Sequence, residues 1–400
     1  MKEELLLKEY DEHEICLSTS EAAILRRVLY GKLDILLTDK PGYYLIRTNS
    51  YVGIVSLPGE RTLVIRPKIL EIDTLFYLLS VAYDPIREIF REETQKYSTV
   101  SGLFEFVVDL YVKHVEYIIK RGLLRGYRQR KEDSVAVKGR MLFAETFRHR
   151  PGLHDRHYCS YSQFTSDLPE NRILRWTAFC LQHHAYREKN LRRRLRRIVL
   201  AFSEAKIDPE SKRLFEQLQS HRLNDWYHPA LALAKLLLDH LTFSGSTGSE
   251  PFLSYLVDMN WLFERYLSEI VLKAADQWDI QMQEQTEYAL DKDCRICVKP
   301  DIVLSAGGKQ LLVVDAKYKR DANRGDLYQM IAYCHALELS KAVLVYPANE
   351  QAPTGRISIK GQGNMQISLL SLDLSGTPEH LEAQGKALTE QIRKLLDVTA

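Results

Sequence analysis

Residues 299–319 read K-P-D-I-V-L-S-A-G-G-K-Q-L-L-V-V-D-A-K-Y-K, two apolar runs on either side of Gly307-Gly308. Strand side chains alternate between faces, so on the second run Asp315 and Lys317 point one way while Val314 and Ala316 point into packing. A glycine pair supplies the positive φ of a tight hairpin, and such a hairpin carries Asp301 of the first run close to Asp315 of the second. Two carboxylates and an ammonium thus converge at one end. Mg²⁺ takes oxygen ligands, usually one or two carboxylates with waters and a substrate phosphate. Asp301, Asp315 and the Ala316 carbonyl are candidate ligands, and Lys317 would orient or stabilise an attacking hydroxide on a phosphodiester. The other reading of these residues is a solvated hairpin rim.

The string resembles the PD-(D/E)xK nuclease motif, with Pro300-Asp301 as the PD and Asp315-Ala316-Lys317 as the DxK. Downstream, Leu327, Met330, Ile331, Cys334 and Leu337 follow a 3.6-residue period and predict a helix. Gln329 and Tyr333 are four apart on one of its faces, and the pair is similar to the Q-x-x-x-Y signature of RecB-like members. Upstream, the apolar stretch 251–272 reads as a helix in which Glu264 lies among Phe263, Tyr266 and Leu267. Its carboxylate is either a lone exposed group or a ligand aimed at the hairpin, and the order helix-Glu, strand-Asp, strand-Asp-x-Lys matches the family and favours the ligand. The resemblance implies catalytic roles for Glu264, Asp301, Asp315, Lys317, Gln329 and Tyr333, with Mg²⁺ or Mn²⁺ as cofactor. Whether one metal or two operate stays open, because Glu264 could bind directly or through water.

The chain of 400 residues has ample length for two or three domains, and 45% hydrophobic and 27% charged residues are usual for a globular protein. Its net charge of +2 leaves any nucleic-acid affinity to local patches. No apolar run has membrane-spanning length, and 1–10 carries acidic residues where a signal peptide needs a basic start, so a cytoplasmic protein is expected. Six scattered cysteines suit a reducing compartment. Cys294 and Cys297 have the spacing of half a metal site, but no second pair follows; in a strand their sulfurs would face opposite ways, and they read as ordinary strand cysteines. The pairs His183-His184 and His154-x-x-His157 likewise lack companion ligands.

Three segments follow. Over 1–95, strand character at 15–17, 34–37, 43–47, 51–57 and 62–65, turns at 40–42 and 58–59, a helix at 20–30 capped by Ser20 and another from 73 to 82 predict a small mixed α/β domain without catalytic residues. Over 96–245 the chain reads as mainly helical and basic. One cluster is Arg121, Arg125, Arg128, Arg130, Lys131, Lys138 and Arg140; a second is Arg187, Lys189, Arg192, Arg193, Arg194, Arg196 and Arg197 on one helix. Such runs either neutralise phosphates or form a solvated helix surface. Pro169-Glu170-Asn171-Arg172 follows a loop and precedes an apolar helix, and Asn171 and Arg172 are read as tying domains together, with no chemistry of their own. The Gly/Ser-rich stretch 243–251 reads as a linker. From 250 to 400 a strand at 341–346, strand-like runs at 357–359 and 365–372, and a helix at 378–396 complete an α/β core, a mixed sheet flanked by helices as in restriction-endonuclease-like folds.

The strings Y-V-G-I-V-S-L-P-G-E-R-T-L-V-I-R-P-K-I at 51–69, V-K-G-R-M-L-F at 137–143 and P-E-N-R-I-L at 169–174, in that order before the nuclease motifs, resemble McrC proteins. These are the nuclease subunits of McrBC-type, modification-dependent (type IV) restriction systems. No G-x-x-x-x-G-K-[ST] is present, so the chain has no phosphate-cradling loop of its own. The resemblance implies an McrB-like AAA+ GTPase hexamer as partner, stimulated by the amino-terminal domain, double-stranded, methylated or otherwise modified DNA as substrate, and contact between McrC copies within the assembly. Arg61, Arg66 and Lys68 are read as exposed candidates for touching the motor. Two other readings remain: a stand-alone RecB-like repair nuclease, and a non-catalytic activator of an AAA+ motor, in which the carboxylate set would have no purpose.

Overall fold

Strands Ile302–Ala306 and Lys309–Ala316 are antiparallel, with Ala306 opposite Lys309. Gly307 and Gly308 between them have φ of 57° and 78°, the two-residue hairpin geometry that glycine adopts without strain. A computed structural model of the protein describes residues 4–57, 61–83, 86, 89, 99–149, 156–218, 224–244, 252–319, 323–348, 354–360 and 365–396. The expected turn at 58–59, His154 and most of the expected linker, 245–251, lie outside them.

In chain order the amino-terminal elements are β1 (Glu4–Lys8), β2 (Glu12–Cys16), α1 (Thr19–Val28), β3 (Leu33–Leu37), β4 (Tyr43–Thr48), β5 (Tyr51–Leu57), β6 (Arg61–Arg66) and α2 (Ile72–Ala82). Then come α3 (Val100–Arg121), β7 (Gly126–Ser134), β8 (Arg140–Met141), α4 (Phe143–His149), β9 (His157–Thr165), α5 (Pro169–Leu181), α6 (Lys189–Ala201), α7 (His228–His240) and β10 (Leu241–Ser244). Last are β11 (Phe252–Asp258), α8 (Met259–Gln277), β12 (Gln281–Glu284), β13 (Tyr288–Ala289), β14 (Cys297–Val298), β15 (Ile302–Ala306), β16 (Lys309–Ala316), α9 (Arg324–Ala336), β17 (Lys341–Pro347), β18 (Gly355–Ser358), β19 (Gln366–Leu372) and α10 (Pro378–Leu395). Among the described residues no helix is long and apolar enough to cross a membrane.

The mixed α/β chain divides into two compact units, one of residues 1–104 with 255–400 and one of 105–254. The segments read as 1–95 and 250–400 therefore pack largely within one unit. Its main sheet runs β12-β15-β16-β17-β19-β18. The hairpin strands are antiparallel, while β16, β17 and β19 run parallel. Val303 and Val313, on one face of the hairpin, pack with Met330, Cys334 and Leu337 of α9 and with Ala342, Leu344, Ile367 and Leu369 of the neighbouring strands. Val314, Val343 and Val345 alternate onto the other face and are equally buried, as the near-continuous apolar runs of a doubly covered parallel sheet require. There α8 and α10 pack on each other and on β16 and β19.

The amino-terminal part of this unit contributes a sheet in which β1, β6, β5 and β11 are neighbours, and a second of β2-β4-β3. β1 pairs parallel to β6, and β5 antiparallel to it. Gly53 on β5 has φ 151°, and a Cβ there would lie 1.9 Å from the Tyr255 carbonyl oxygen of β11. The close approach of these strands admits only hydrogen at that position.

Several sequence expectations are corrected. The helix read over 251–272 is a strand through Asp258 and a helix only from Met259, with Asp258 accepting from the Asn260 N–H as its cap. Phe252 to Val257 are all buried, and a short run apolar on both faces carries no period to tell strand from helix. Helix α1 is capped by Ser18, not Ser20, in a capping box with Glu21. Part of the first basic cluster lies on a strand within the mainly helical middle unit: β7 and β9 pair over nine residues each, and β7 carries Arg128, Arg130 and Lys131. Asn171 and Arg172 join segments of this one unit. The Asn171 amide donates to the Leu124 and Ser166 carbonyls, its oxygen accepts from Tyr227, and Arg172 forks onto Asp167. The Asp167 carboxyl, buried yet hydrogen-bonded by Arg172, is held down at about 2. In the second basic cluster Arg194 is committed to Asp109 and Glu116. Arg61, read as exposed, is half-buried in an ion pair with Glu21. Only Cys297 of the cysteine pair is in a strand, Cys294 occupying a turn at φ 53°.

Substituting Gly53→Ala places a methyl group against the Tyr255 carbonyl and holds an L residue at positive φ. Denaturant unfolding is expected to show a loss of about 2 kcal/mol or more, or no folded protein; a loss under about 0.5 kcal/mol would refute the close approach of β5 and β11.

Candidate active site

The hairpin register builds the site. Ile302 is opposite Val314, so the next position back carries Asp301 beside Asp315, on the face shared by Val303 and Val313. The Asp301 Oδ2 accepts the Ala316 N–H at 2.9 Å. Asp315 is fully buried. The Lys317 ammonium lies 2.5 Å from its Oδ2, yet neither oxygen of this carboxylate has a hydrogen bond of good geometry. The short separation is therefore a charge contact that commits Oδ2 of Asp315 to Lys317.

Glu264 arrives from α8. The Gln285 side-chain amide donates to Glu264 Oε1 and, at 3.3 Å, to Asp301 Oδ1, bridging the two carboxylates. One residue away on each element, Arg265 binds Glu284 at 3.0 Å, a second rung fixing the helix to the end of β12. Gln285 itself has φ 50° and donates its backbone N–H to the Asp301 carbonyl. Nothing in Q-M-Q-E-Q-T-E distinguishes this glutamine as a site residue, because its place beside Glu264 depends on the pairing of β12 with β15.

From α9, Asp326, Gln329 and Tyr333 follow at i, i+3 and i+7, one helical face. Gln329 Nε2 donates to Tyr333 Oη at 2.6 Å, and that hydroxyl donates to the Lys299 carbonyl at 3.2 Å. The pair grips the backbone two residues ahead of Asp301. Asn323 caps the helix and Asp326 returns the capping box. The site residues read from the sequence are thus brought to one end of the hairpin, Glu264, Asp301, Asp315 and Lys317 at its centre and Gln329 and Tyr333 behind it, with the Ala316 backbone between.

Burial raises the affinity of Asp301, Asp315 and Glu264 for protons. The Asp301 carboxyl is pushed up to about 8, first by burial and then by the charges of Asp315 and Glu264. Burial also raises Asp315, against the pull of Lys317, and raises Glu264. The Tyr333 hydroxyl is raised by burial and by both aspartates. Among the described residues no three His, Cys, Asp or Glu side chains converge closely enough to chelate a metal as they stand; Glu264 and Asp301 lean to Gln285, and Asp315 to Lys317. The buried oxygens of Asp315 beside two further carboxylates nevertheless form an all-oxygen donor set, which suits a hard divalent cation and not a thiophilic one.

Residues 46–347 match the family described as McrBC 5-methylcytosine restriction system component. The chain is 21% identical over 332 residues to the type IV methyl-directed restriction enzyme EcoKMcrBC of Escherichia coli (strain K12), covering 76% of this chain and 93% of that protein. It also superposes with TM-score 0.60 and 19% identity on a chain in the half-complex refined from the tetradecameric assembly of Thermococcus gammatolerans McrB AAA+ hexamers with bound McrC, covering 97% of this chain and all of that one. At such identity the likeness speaks for the fold.

The raised carboxyls set a pH dependence. In the unfolded chain Asp301 titrates near its ordinary value of about 4, whereas the folded protein keeps the proton up to about 8. The folded state therefore binds the extra proton across that window, and metal-free stability falls as pH rises through it. Asp315→Asn removes one of the repelling charges, so its thermal midpoint at pH 8 is expected to match or exceed that of the parent by a few degrees, the difference shrinking at pH 5. A midpoint depressed more at pH 8 than at pH 5 would show that the Asp315 charge stabilises the fold.

Proposed function

Because this chain belongs to the McrBC 5-methylcytosine restriction system component family, we propose that it is the DNA endonuclease subunit of such a system, with a PD-(D/E)xK core, dependent on Mg²⁺ or Mn²⁺. The observation that carries this reading is the buried Asp315, in contact with Lys317 and beside Asp301 at one hairpin end. A stable fold rarely gathers carboxylates out of water without a use for them. The ion would be held by Asp301, Asp315 and the Ala316 carbonyl with Glu264 alongside; when bound it supplies charge neutralisation on the phosphate and a more acidic water.

The chain's own residues do the rest. Lys317, kept beside Asp315, presents a cation to the phosphodiester and to a nucleophilic water. Gln285 donates to both Glu264 and Asp301 and so holds the two repelling carboxylates at one side of the site. Tyr333, oriented by Gln329, fixes the Lys299 carbonyl and with it the Pro300-Asp301 turn. These supports hold the donors near their working geometry, the condition under which positioning contributes to rate.

The proposal extends to partners. In the Thermococcus gammatolerans assembly McrC is bound to McrB AAA+ hexamers, and the present sequence carries no G-x-x-x-x-G-K-[ST] motif. An AAA+ GTPase encoded beside it would deliver methylated duplex DNA, and this subunit would stimulate its NTP hydrolysis. With that partner, GTP and Mg²⁺, methylated plasmid is expected to be cut by the parent chain. Asp315→Ala and Lys317→Ala should lower cleavage about 10³-fold or more while leaving stimulation of the partner's GTPase within about 2-fold. Undiminished cleavage by Asp315→Ala sinks the site assignment. Equal cleavage without the partner would instead make this a stand-alone nuclease.

A further inference from the structure

The residue after Lys317 is tied to the opposite end of the sequence. Tyr318 is 2% exposed, its ring packs 6.0 Å from that of Phe263, the neighbour of Glu264, and its hydroxyl donates to Glu9 Oε1 at 2.9 Å. Glu9 follows β1 and is fully buried. The same Oε1 accepts the Lys68 N–H at 2.7 Å and the Ile69 N–H at 3.2 Å, and the Glu9 N–H donates to the Arg66 carbonyl. One carboxylate oxygen thus gathers the end of β1, the chain leaving β6 and the residue beside the site lysine. A second tie holds the following residue: Lys319 reaches Asp326 at 2.5 Å, and Asp326 also accepts from Tyr346. Immediately before the two ties the backbone carries Lys317, whose own N–H donates to the Val345 carbonyl.

Resting on the nuclease reading above, we propose that Glu9 is a positioning residue for that reaction: through Tyr318 it sets the path of 317–319 and so the placement of the Lys317 ammonium against Asp315. The segment 1–95 therefore contributes to the chemistry of the hairpin as well as to any docking. A buried carboxylate bonded to two backbone amides and a phenol is rigid, since moving it leaves all three donors unsatisfied. Lys317, on a four-carbon stem, needs such a fixed base, because an error of about 1 Å at a reacting group can cost on the order of 100-fold in rate.

The test uses the full-length chain with its AAA+ partner, GTP, Mg²⁺ and methylated plasmid, under saturating and limiting DNA. Tyr318→Phe removes one hydroxyl and keeps the ring packing, and is expected to lower kcat about 10-fold with KM for DNA unchanged. Glu9→Ala should lower kcat by about 10- to 100-fold, and Glu9→Gln, which keeps an acceptor oxygen in place, should recover activity to within about 3-fold of the parent. The double variant Glu9→Ala with Tyr318→Phe should be no slower than Glu9→Ala alone, as two parts of one tie require. Additive losses, or loss confined to KM, or Tyr318→Phe at parental kcat while Asp315→Asn is inactive, each overturn the positioning role. Asp315→Asn cutting like the parent overturns the nuclease reading instead, so the two failures are distinguishable.

Discussion

Three carboxylates that repel one another, held together out of water, are the constraint on which the arrangement of this protein depends. Left alone, Asp301, Asp315 and Glu264 would separate or take up protons: burial raises the pKa of all three, and the charge of Asp315 adds to the rise at Asp301 and Glu264. The chain opposes it with hydrogen bonds and charges drawn from different elements: the Ala316 amide for Asp301, the Gln285 amide for Glu264 and Asp301, and the Lys317 ammonium for Asp315. Each comes from rigid backbone, a strand end or a residue next to one. The apolar hairpin and the helix behind it are what allow the repulsion to persist in the folded state.

That demand explains why so much of one unit is organised around a single strand end. α9 secures the entrance of the hairpin by holding the Lys299 carbonyl, α8 carries Glu264 to its side, and Glu9 secures its exit through Tyr318. The supports come from residues 9, 264, 285 and 333, so no short fragment of the chain contains the site together with its scaffold. This is the physical content of the grouping of residues 1–104 with 255–400.

What could be read from the sequence, and what could not, follows from the range of the interactions concerned. The hairpin was legible because a glycine pair between alternating apolar runs is a local signal, and strand periodicity then determines which residues share a face. The α9 periodicity was legible for the same reason. Strands β2 to β6 were found within a residue or a few, whereas β1 was not read as a strand at all, since Leu5 to Leu7 gain their meaning only from parallel pairing with Leu63 to Ile65. The 252–258 run was misread because burial on both faces erases alternation. β7 is hidden by its charge: Arg, Gln, Lys and Glu on both faces of a strand imitate a solvated helix. Gln285 and Glu9 were invisible, each a common polar residue whose role exists only after distant segments have met.

The β5–β11 neighbourhood has a consequence for the order in which the molecule can be made. A strand ending at Leu57 waits beside an empty edge until Phe252–Asp258 has been synthesised, while the intervening unit, one continuous stretch, has all of its own residues in hand first. The nascent amino-terminal sheet therefore spends about half of translation with an unpaired border of backbone amides and carbonyls, the kind of border that recruits foreign strands. Gly53, which has no side chain to obstruct the late arrival, keeps that border open for the one strand that belongs there.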